Sequence, residues 1–464
     1  MRNVSYAAPG RATLSVNPLG AVNNSVGEGV GGYRYSVCSY NFDLSHGDLR
    51  CGKGFKSYAL RSFAMQPEKI YHYRRFGEDG SADDRLLFYC VDKYIYEYST
   101  VNKTYTKIPS LTFASAPEGV CYNFNGEDVI IFSGETGGMK IYDGNVVTEV
   151  PDAPTVSSMC VHNERLFITD GALNNSLWFS DDFDPTDWNV SLSEAGFIDM
   201  SGPRGRLLKV ISFGGYLYVF RTYGITRVTA YGDQTAFSVS DLYVSSGRIY
   251  GDSITVCGDC VLFFASDGLY RFDGLSAKRI SDAYREFIDF SYTGVIGGYY
   301  NGTAYFLMQT IYDGNAAKVI LSVDPKNYAD YYFIRGGSFI DTLVYGGEND
   351  YKFLALTTEG LYELSEDSKI RGVEPEKVWI GKFGDFGITA RRKLLEYISF
   401  YTDKKLTVTV KADDKTYDYV VTGKTQKTEI RPKIVGDRFS VTIKSTESGS
   451  KVVGLTLKFS YYDD

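Results

Sequence analysis

The stretch from Cys260 to Gly274, CVLFFASDGLYRFDG, decides the fold class. An apolar run ends in a turn that contains Gly268, and a strand of alternating apolar residues follows, which is the pattern of a β-hairpin. The pattern recurs as RLLFYCVDKYIYEYS (85–99), DVIIFSGETGGMKIYDG (128–144), GYLYVFRTYGITRVTAYG (215–232) and YKFLALTTEGLYELS (351–365). Two looser copies are RLFITDGALNNSLWFSDD (165–182) and TAYFLMQTIYDGNAAKVILSVD (303–324).

The hairpins repeat at a nearly constant period. Their second strands begin near Lys93, Gly138, Ser176, Gly224, Gly268, Lys318 and Gly360, so the intervals run from 38 to 50 residues. A weaker apolar segment precedes each hairpin, such as IYHYRRF at 70–76, and a polar β-prone segment such as NVVTEVPD at 145–152 follows. A period of about 44 residues with four strands inside it predicts the blades of a β-propeller.

The chain therefore divides into four parts, all of them β or extended. Residues 66–370 are predicted to form about seven four-stranded blades. Residues 42–65 are entry strands that could complete a blade, so six and eight blades stay open as alternatives. Residues 1–41, rich in Gly, Asn and Ser, are predicted as an extended arm that lies along a partner. Alternating strands and polar turns over residues 371–464 predict a small C-terminal β-sandwich.

Composition narrows the function. Hydrophobic residues make up 44% of the 464 residues, enough for a large core and against disorder. The net charge is −8, from 49 basic and 57 acidic residues, so no diffuse basic surface for nucleic acid is predicted. An odd, scattered set of seven cysteines indicates free thiols in a reducing compartment: Cys38, Cys51, Cys90, Cys121, Cys160, Cys257 and Cys260. We expect neither a secretory signal nor a membrane-spanning segment, because no apolar stretch is long enough.

Two short motifs resemble known sites without completing them. GDLRCGKG, from Gly47 to Gly54, nearly matches a phosphate-binding loop, but Gly54 stands where a Ser or Thr would bind Mg²⁺. A β-turn is the favoured interpretation. Cys257 and Cys260 form an isolated CxxC between two apolar strands, with no second pair to complete a zinc site, and a structural role is favoured.

The acidic stretch SDDFDPTDW, Ser180 to Trp188, approximates the Asp-box turn of sialidase-like propellers. Ser180, Asp182 and Thr186 fit that motif, whereas Asp184 replaces its Gly and Trp188 falls one place late. Clustered carboxylates also suit calcium, and its ligands would be Asp181, Asp182, Asp184 and Asp187. A solvated structural turn is the preferred interpretation, with calcium binding left open.

No catalytic, cofactor-binding or metal-ligating residue is predicted. A glycosidase needs two facing carboxylates, and a sialidase also an arginine cluster; the inward candidates are Arg61, Arg74, Arg75, Arg204 and Arg206. No G-x-S-x-G nucleophile motif is present, since Gly251-Asp-Ser253 lacks its second Gly, and no H-E-x-x-H motif occurs. His46, His72 and His162 are far apart in the chain. We therefore expect a protein that is not an enzyme and has no cofactor.

Three stretches resemble a known family. FDLSHGDLRCGKGF (42–55) resembles the opening strand of phage tail proteins, and NERLFITDGALNNSLWFSDDFDPTDWN (163–189) resembles their blade motif. SSGRIYGDSITVCGDCVLFFASDGLYRFDG (245–274) resembles the blade that follows. With the C-terminal sandwich, the resemblance covers most of the chain. The family is that of the tail nozzle or hub proteins of short-tailed bacteriophages, also called tail tubular or DNA-stabilisation proteins.

The resemblance implies a structural protein of the virion, assembled in the cytoplasm of the host bacterium. Such propellers form a ring, commonly a hexamer, below the portal and the head-to-tail adaptor. They extend the DNA channel, retain the packaged genome and carry tail fibres or spikes. DNA would pass without sequence-specific binding, and an acidic lumen would keep it from sticking. The alternatives are a carbohydrate-active propeller, as a sialidase-like hydrolase or a glycan-binding module, and an intracellular peptide-binding scaffold.

Overall fold

We describe the chain from a computed structural model. The structure describes residues 10–27, 30–58, 63–76, 80–81, 83–99, 104–136, 138–346, 351–389 and 391–461.

Within these ranges the strands between Gly54 and Ser365 form seven four-stranded antiparallel sheets, the blades of a propeller. Blade 1 consists of β7 (Pro67–Tyr73), β8 (Arg85–Cys90), β9 (Tyr94–Ser99) and β10 (Tyr105–Thr112). Blade 2 consists of β11 (Glu118–Phe124), β12 (Glu127–Ser133), β13 (Met139–Tyr142) and β14 (Val147–Val150). Blade 3 consists of β15 (Val156–His162), β16 (Arg165–Asp170), β17 (Ser176–Phe179) and β18 (Gly196–Asp199). Blade 4 consists of β19 (Leu207–Phe213), β20 (Tyr216–Arg221), β21 (Gly224–Thr229) and β22 (Ser238–Val244). Blade 5 consists of β23 (Thr255–Val256), β24 (Val261–Ala265), β25 (Gly268–Phe272) and β26 (Ala277–Arg279). Blade 6 consists of β27 (Ile296–Tyr300), β28 (Thr303–Tyr312), β29 (Asn315–Val323) and β30 (Tyr331–Ile334). Blade 7 consists of β31 (Asp341–Tyr345), β32 (Lys352–Leu356), β33 (Leu361–Ser365) and β6 (Gly54–Ser57).

The predicted propeller and its seven blades are confirmed. The hairpins quoted from the sequence are the second and third strands of their blades, and the local turn chemistry explains why. Asp313 and Gly314 join β28 to β29 with both φ angles positive, as a tight turn between twisted strands requires. The second strand of each blade is almost entirely buried, as in the BBBBB pattern of β24, because blades pack face to face around the axis.

An N-terminal strand closes the ring of blades. β6 pairs antiparallel with β33, from Tyr362 opposite Ser57 to Ser365 opposite Gly54, and so forms the outer edge of blade 7. Phe55 is fully buried against Phe339 and Phe353. Of the predicted entry strands, β6 therefore completes the seventh blade, and the described residues contain no eighth blade.

Two further sheets enclose one core and form the predicted sandwich. The larger sheet contains β1 (Gly10–Val16), β4 (Phe42–Asp43), β5 (Leu49–Cys51), β35 (Lys393–Thr402), β38 (Lys424–Ile430), β39 (Ile434–Gly436) and β41 (Lys451–Tyr461). The other contains β2 (Gly20–Val22), β3 (Tyr35–Tyr40), β34 (Lys377–Gly381), β36 (Leu406–Ala412), β37 (Lys415–Val421) and β40 (Phe439–Ser445).

The N-terminal segment differs from the arm expected for residues 1–41. β1 pairs along its whole length with β41, and Val16, Leu19 and Tyr33 are buried in the sandwich core. The composition predicts that this segment cannot bury itself, and the C-terminal strands of the same chain cover its described part, whereas residues 1–9, 28 and 29 lie outside the described residues. Of the entry strands predicted for residues 42–65, β4 and β5 also belong to the sandwich, and β6 belongs to blade 7.

Helical structure in the described chain is confined to four short 3₁₀ turns. They are Val30–Arg34, Gln234–Ala236, Gly251–Ser253 and Arg285–Phe287. Among the residues that the structure describes, no helix has the length and the apolar character that crossing a bilayer requires.

Candidate functional site

The propeller axis holds a polar cavity of about 470 Å³. Its walls come from the first strands of six blades and from the connections that lead into them. The charged residues among its lining are Glu68, Lys69, Glu118, Lys209, Asp252 and Asp341. Because these six charged residues come from five different blades, the cluster exists only once the ring of blades has closed.

An ion pair crosses the cavity wall from blade 1 to blade 2. The Lys69 ammonium lies 2.6 Å from a carboxylate oxygen of Glu118 and donates to the carbonyl oxygen of Pro117 at 3.2 Å. Burial alone would raise the pKa of Glu118, but the ammonium groups of Lys69 and Lys209 hold it below its usual value. Glu118 is therefore ionised at neutral pH, and Lys69 is charged beside it.

Asp341 lies at the start of blade 7, beside blade 1. Its carboxylate accepts hydrogen bonds from the backbone N–H of Ile70 at 2.9 Å and of Thr342 at 2.8 Å. The residue is 6% exposed, and burial raises its pKa to about 6. Asp341 therefore joins the last blade to the first through a carboxyl group that titrates near neutral pH.

The sequence did not single out these residues. Lys69, Glu118 and Asp341 stand at the starts of first strands, and only the propeller's closure brings them together. One signal was available: Pro67-Glu68-Lys69 and Pro117-Glu118-Gly119 place a charged residue before two otherwise β-prone strands. A buried charge needs a partner, and for Lys69 that partner is Glu118 of the next blade.

The acidic stretch 180–188 is a turn between β17 and β18 that its own hydrogen bonds and Arg165 hold in place. Asp184 accepts from the Thr186 N–H and hydroxyl, and Asp187 accepts from the Asn189 N–H and the Ser193 hydroxyl. The Trp188 indole is buried and donates to the Pro185 carbonyl at 3.0 Å. The carboxylates of Asp184 and Asp187 thus accept hydrogen bonds from donors of the same loop, which is the structural role favoured for an Asp-box-like turn.

Arg165 anchors this turn from below. Its side chain is 3% exposed and lies 2.7 Å from both Asp182 and Glu194. The guanidinium also donates to the carbonyl oxygens of Ser180 and Glu194. Across the described part of the chain, no three His, Cys, Asp or Glu residues are arranged to hold a metal ion, and this covers residues 180–188.

Cys257 and Cys260 lie in the turn between β23 and β24. Both thiols are buried in a core shared by blades 5 and 6, and burial raises the pKa of each above its ordinary value. The Cys257 N–H donates to the Cys260 carbonyl at 2.7 Å, which closes the turn. A high pKa keeps a thiol protonated and unreactive, so this pair has the properties of buried structural cysteines.

The phosphate-loop-like segment, Gly47 to Gly54, contains β5 and leads into β6. Gly47 has a φ of +75° and turns the chain before β5. A Cβ at Gly52 would lie 2.7 Å from the Tyr332 ring, and one at Gly54 would lie 2.2 Å from the Lys369 carbonyl oxygen. These glycines permit close packing between the sandwich and the propeller, which explains the motif without a phosphate.

The remaining candidates do not gather at one place. His72 pairs with Asp84 at 2.8 Å, and His162 lies 2.8 Å from the Ser212 hydroxyl; burial lowers the pKa of both imidazoles. Of the four arginine candidates that the structure describes, none lines the axial cavity: Arg74, Arg75, Arg204 and Arg206. Arg61 lies outside the described residues. The cations at the axis are lysines, so the arginine cluster of a sialidase is not assembled there from the described residues.

Comparison with known proteins reaches only the fold. No family model and no curated protein matches the chain. Among solved structures, a crystal structure of BBS1N in complex with ARL6DN, soaked with lead, has a TM-score of 0.44 at 10% identity, over 66% of this chain and 92% of that one. A second, soaked with mercury, has a TM-score of 0.41 at 9% identity, over 67% of this chain and 96% of that one. Likeness at this level concerns the fold alone.

Proposed function

We propose that this protein is a structural component of a bacteriophage tail, a nozzle or hub ring of which six copies are the favoured number. The ring extends the DNA channel below the portal and adaptor, retains the packaged genome and offers attachment points for fibres or spikes. DNA passes through its lumen without sequence-specific contacts. The protein acts in the virion, after assembly in the cytoplasm of the host, and performs no catalysis.

The observation that carries this proposal is the place of the segment Phe42–Phe55, one of the three that resemble the phage family. Leu49 is buried in the sandwich core, and Phe55, six residues later, is buried in blade 7. The segment therefore joins the two units. Its Leu, Gly and Phe positions are packed there, and Arg50 pairs with Asp48. A resemblance in residues that connect the sandwich to the propeller supports a shared architecture better than a resemblance in surface turns would.

The second resembling segment, Asn163–Asn189, is supported in the same way. It contains the Arg165 anchor and the buried Trp188, which fix the loop between β17 and β18. Such a rigid loop on a propeller is suited to contacts within an assembly. A ring needs two different surfaces on each copy, since its contacts are heterologous and close by rotation.

Sizing of the purified protein tests the proposal, alone and with the products of neighbouring genes. We expect a ring of about six copies by light scattering, and a ring at the tail position in electron micrographs of virions. If the protein stays monomeric both alone and with those gene products, and cleaves fluorogenic sialosides or other glycosides, the proposal is overturned in favour of the carbohydrate-active hydrolase. A monomer that binds glycans without cleaving them would do the same for the glycan-binding module.

A further inference from the structure

Charge is divided unequally between the two units of the molecule. Residues 54–370, which form the propeller, contain 26 Lys and Arg against 41 Asp and Glu. The remaining residues, 1–53 and 371–464, contain 23 basic residues against 16 acidic ones. The propeller is thus strongly negative and the sandwich positive, although the whole chain carries only −8.

The negative charge is concentrated on one face of the propeller. Because the strands of a blade alternate in direction, its first and third turns emerge on the same face. In blades 2 to 5 these turns contain no Lys or Arg, and Arg165, the first residue of β16, pairs with two of their ten acidic residues, Asp182 and Glu194. The ten are Asp143, Glu164, Asp181, Asp182, Asp184, Asp187, Glu194, Asp233, Asp259 and Asp273. We call this surface the acidic face.

The acidic face also carries exposed apolar side chains. Phe183 is 68% exposed, Leu192 87% and Tyr231 78%, all in the loops of blades 3 and 4. Charge alone would make a face that stays solvated, whereas large apolar groups among charges are typical of a surface that another protein covers.

The positive charge is concentrated at one end of the sandwich. Gly10, Lys393 and Tyr461 lie side by side there, at the opposite end of β41 from its pairing with β5. The exposed cations at this end are Arg11, Arg34, Arg391, Arg392, Lys411, Lys415, Lys433 and Arg438. We call this surface the basic end.

Aromatic rings order the cations of the basic end. Lys411 and Arg438 both lie over the Phe383 ring, 5.0 and 4.9 Å from its centroid. The Arg391 guanidinium lies 5.3 Å from the centroid of Tyr461. Carboxylates are also present at this end. Asp385 accepts the Gly387 N–H in its own turn, Asp413 accepts the N–H groups of Asp437 and Arg438 from the turn before β40, and Asp437 lies 4.0 Å from Arg392. Cations held on rings lose less conformational entropy when they bind a partner.

We propose that the basic end of one copy docks on the acidic face of the next. This proposal rests on the ring of the proposed function and names its contact surfaces. The argument is charge complementarity, because the same chain carries both the acidic face and the basic end. The two surfaces lie on different units of the molecule. When two copies make one such contact, one acidic face and one basic end therefore remain free for further copies. Such a head-to-tail contact closes into a ring when the rotation permits. A nucleic-acid phosphate backbone is the rival occupant of the basic end.

Charge reversal at each surface tests the contact. One variant carries Arg392→Glu and Lys433→Glu at the basic end. A second carries Glu164→Lys and Asp259→Lys on the acidic face, where neither carboxylate accepts a hydrogen bond within its loop and Asp259 lies 3.9 Å from Arg271. Lys404→Glu with Lys405→Glu, exposed at the other end of the sandwich, is the matched control. We expect each test variant to require at least ten-fold more protein than the wild type to form rings, with the control unchanged.

Mixing the two test variants gives the decisive readout. In the mixture, the reversed basic end of the first variant meets the reversed acidic face of the second, and the two unchanged surfaces meet each other. Both contacts then join opposite charges, so we expect equimolar mixtures to regain rings in which the variants alternate. Wild-type rings are expected to weaken in 1 M NaCl, where the screening length is about 3 Å. Unchanged melting temperatures and far-ultraviolet circular dichroism show that all variants are folded.

The outcomes separate the two proposals. Rings in both test variants alone, or none in the mixture, overturn the docking surfaces and leave the ring itself standing. Failure of the wild type to form rings, alone or with its neighbouring gene products, overturns the proposed function. If the basic-end variant loses binding to a DNA fragment but still forms rings, the basic end serves nucleic acid and the docking contact is overturned.

Discussion

At the scale of single residues, Asp341 is a carboxyl group whose burial disfavours its ionised form. It is a carboxyl buried at the junction of the last and first blades, within reach of Lys69 and with Glu118 and Asp252 lining the same cavity. Its pKa of about 6 exceeds the value of 3.8 expected in an unfolded chain, so folding disfavours its ionised form. The group stabilises the fold most at low pH and loses that contribution as the pH rises from about 4 to above 6.

We therefore expect Asp341→Asn to change how stability depends on pH. The free energy of unfolding of the variant, relative to the wild type, should rise by about 3 kcal/mol between pH 4 and pH 8, because Asn cannot ionise. Urea unfolding at four or five pH values measures this. Glu118→Gln is the control with the opposite sign, since Lys69 lowers the pKa of Glu118. Parallel pH profiles for Asp341→Asn and the wild type would contradict the assignment.

At the scale of elements, β6 is the strand on which closure of the propeller depends. Gly54, its first residue, packs where a Cβ would lie 2.2 Å from the carbonyl oxygen of Lys369 and 2.5 Å from that of Asp367. Backbone atoms cannot move aside as a flexible side chain can. We expect Gly54→Ala to lower the free energy of unfolding by about 2 kcal/mol, measured by chemical denaturation. Gly27→Ala, where a Cβ meets nothing within 4 Å, should leave it unchanged.

The N-terminal strands allow a second prediction about an element. Deletion of residues 1–30 removes β1 and β2, with the buried Val16, Leu19 and Val22. We expect hydrogen exchange to accelerate in β41 and β35, because β41 loses its pairing partner, while the amides of blades 1 to 4 stay protected. Deletion of residues 1–9 is the control, since it removes none of the described strands. Equal exchange in both deletions would show that β1 does not hold the sandwich.

The elements also show what sequence can and cannot predict. The blades were predictable because each hairpin is local: Gly268 and its neighbours specify the turn, and the period of about 44 residues repeats it. The pairing of β1 with β41 was not, because it joins Val16 to Leu455 and no local pattern records such a partner. The axial charges were missed for the same reason, since Lys69 meets Glu118 only after two blades have packed together.

At the scale of the whole molecule, Asn41 couples the sandwich to the propeller. It adopts a left-handed conformation with φ of 61° and is 4% exposed. Its side chain donates to the carbonyl oxygens of Arg335 and Glu376 at 2.9 and 2.8 Å and accepts from the Arg335 N–H at 2.7 Å. One residue thus satisfies backbone groups that belong to both units.

We expect Asn41→Ala to lower the free energy of unfolding by about 3 kcal/mol, because buried backbone groups lose their partners. The two units should then unfold in separate steps, which differential scanning calorimetry resolves as two peaks. Asn125→Ala controls for the backbone strain, since Asn125 also has a positive φ but lies in an exposed turn. A single peak at the wild-type temperature would contradict this role for Asn41.

The closure of blade 7 by β6 has a consequence for biosynthesis. The ribosome makes β6 about 300 residues before its partner β33, and β1 before β41 by an even longer interval. At 5 to 20 residues per second, β6 waits roughly 15 to 60 s with its edge unpaired. Blades 1 to 6 can form as they emerge, but the first strands must be kept from other partners until the end. The nascent chain is therefore most open to misassembly at its N-terminal strands. A chaperone that binds these strands would not speed synthesis or folding, but it would keep their unpaired edges from other partners until β33 and β41 have been made.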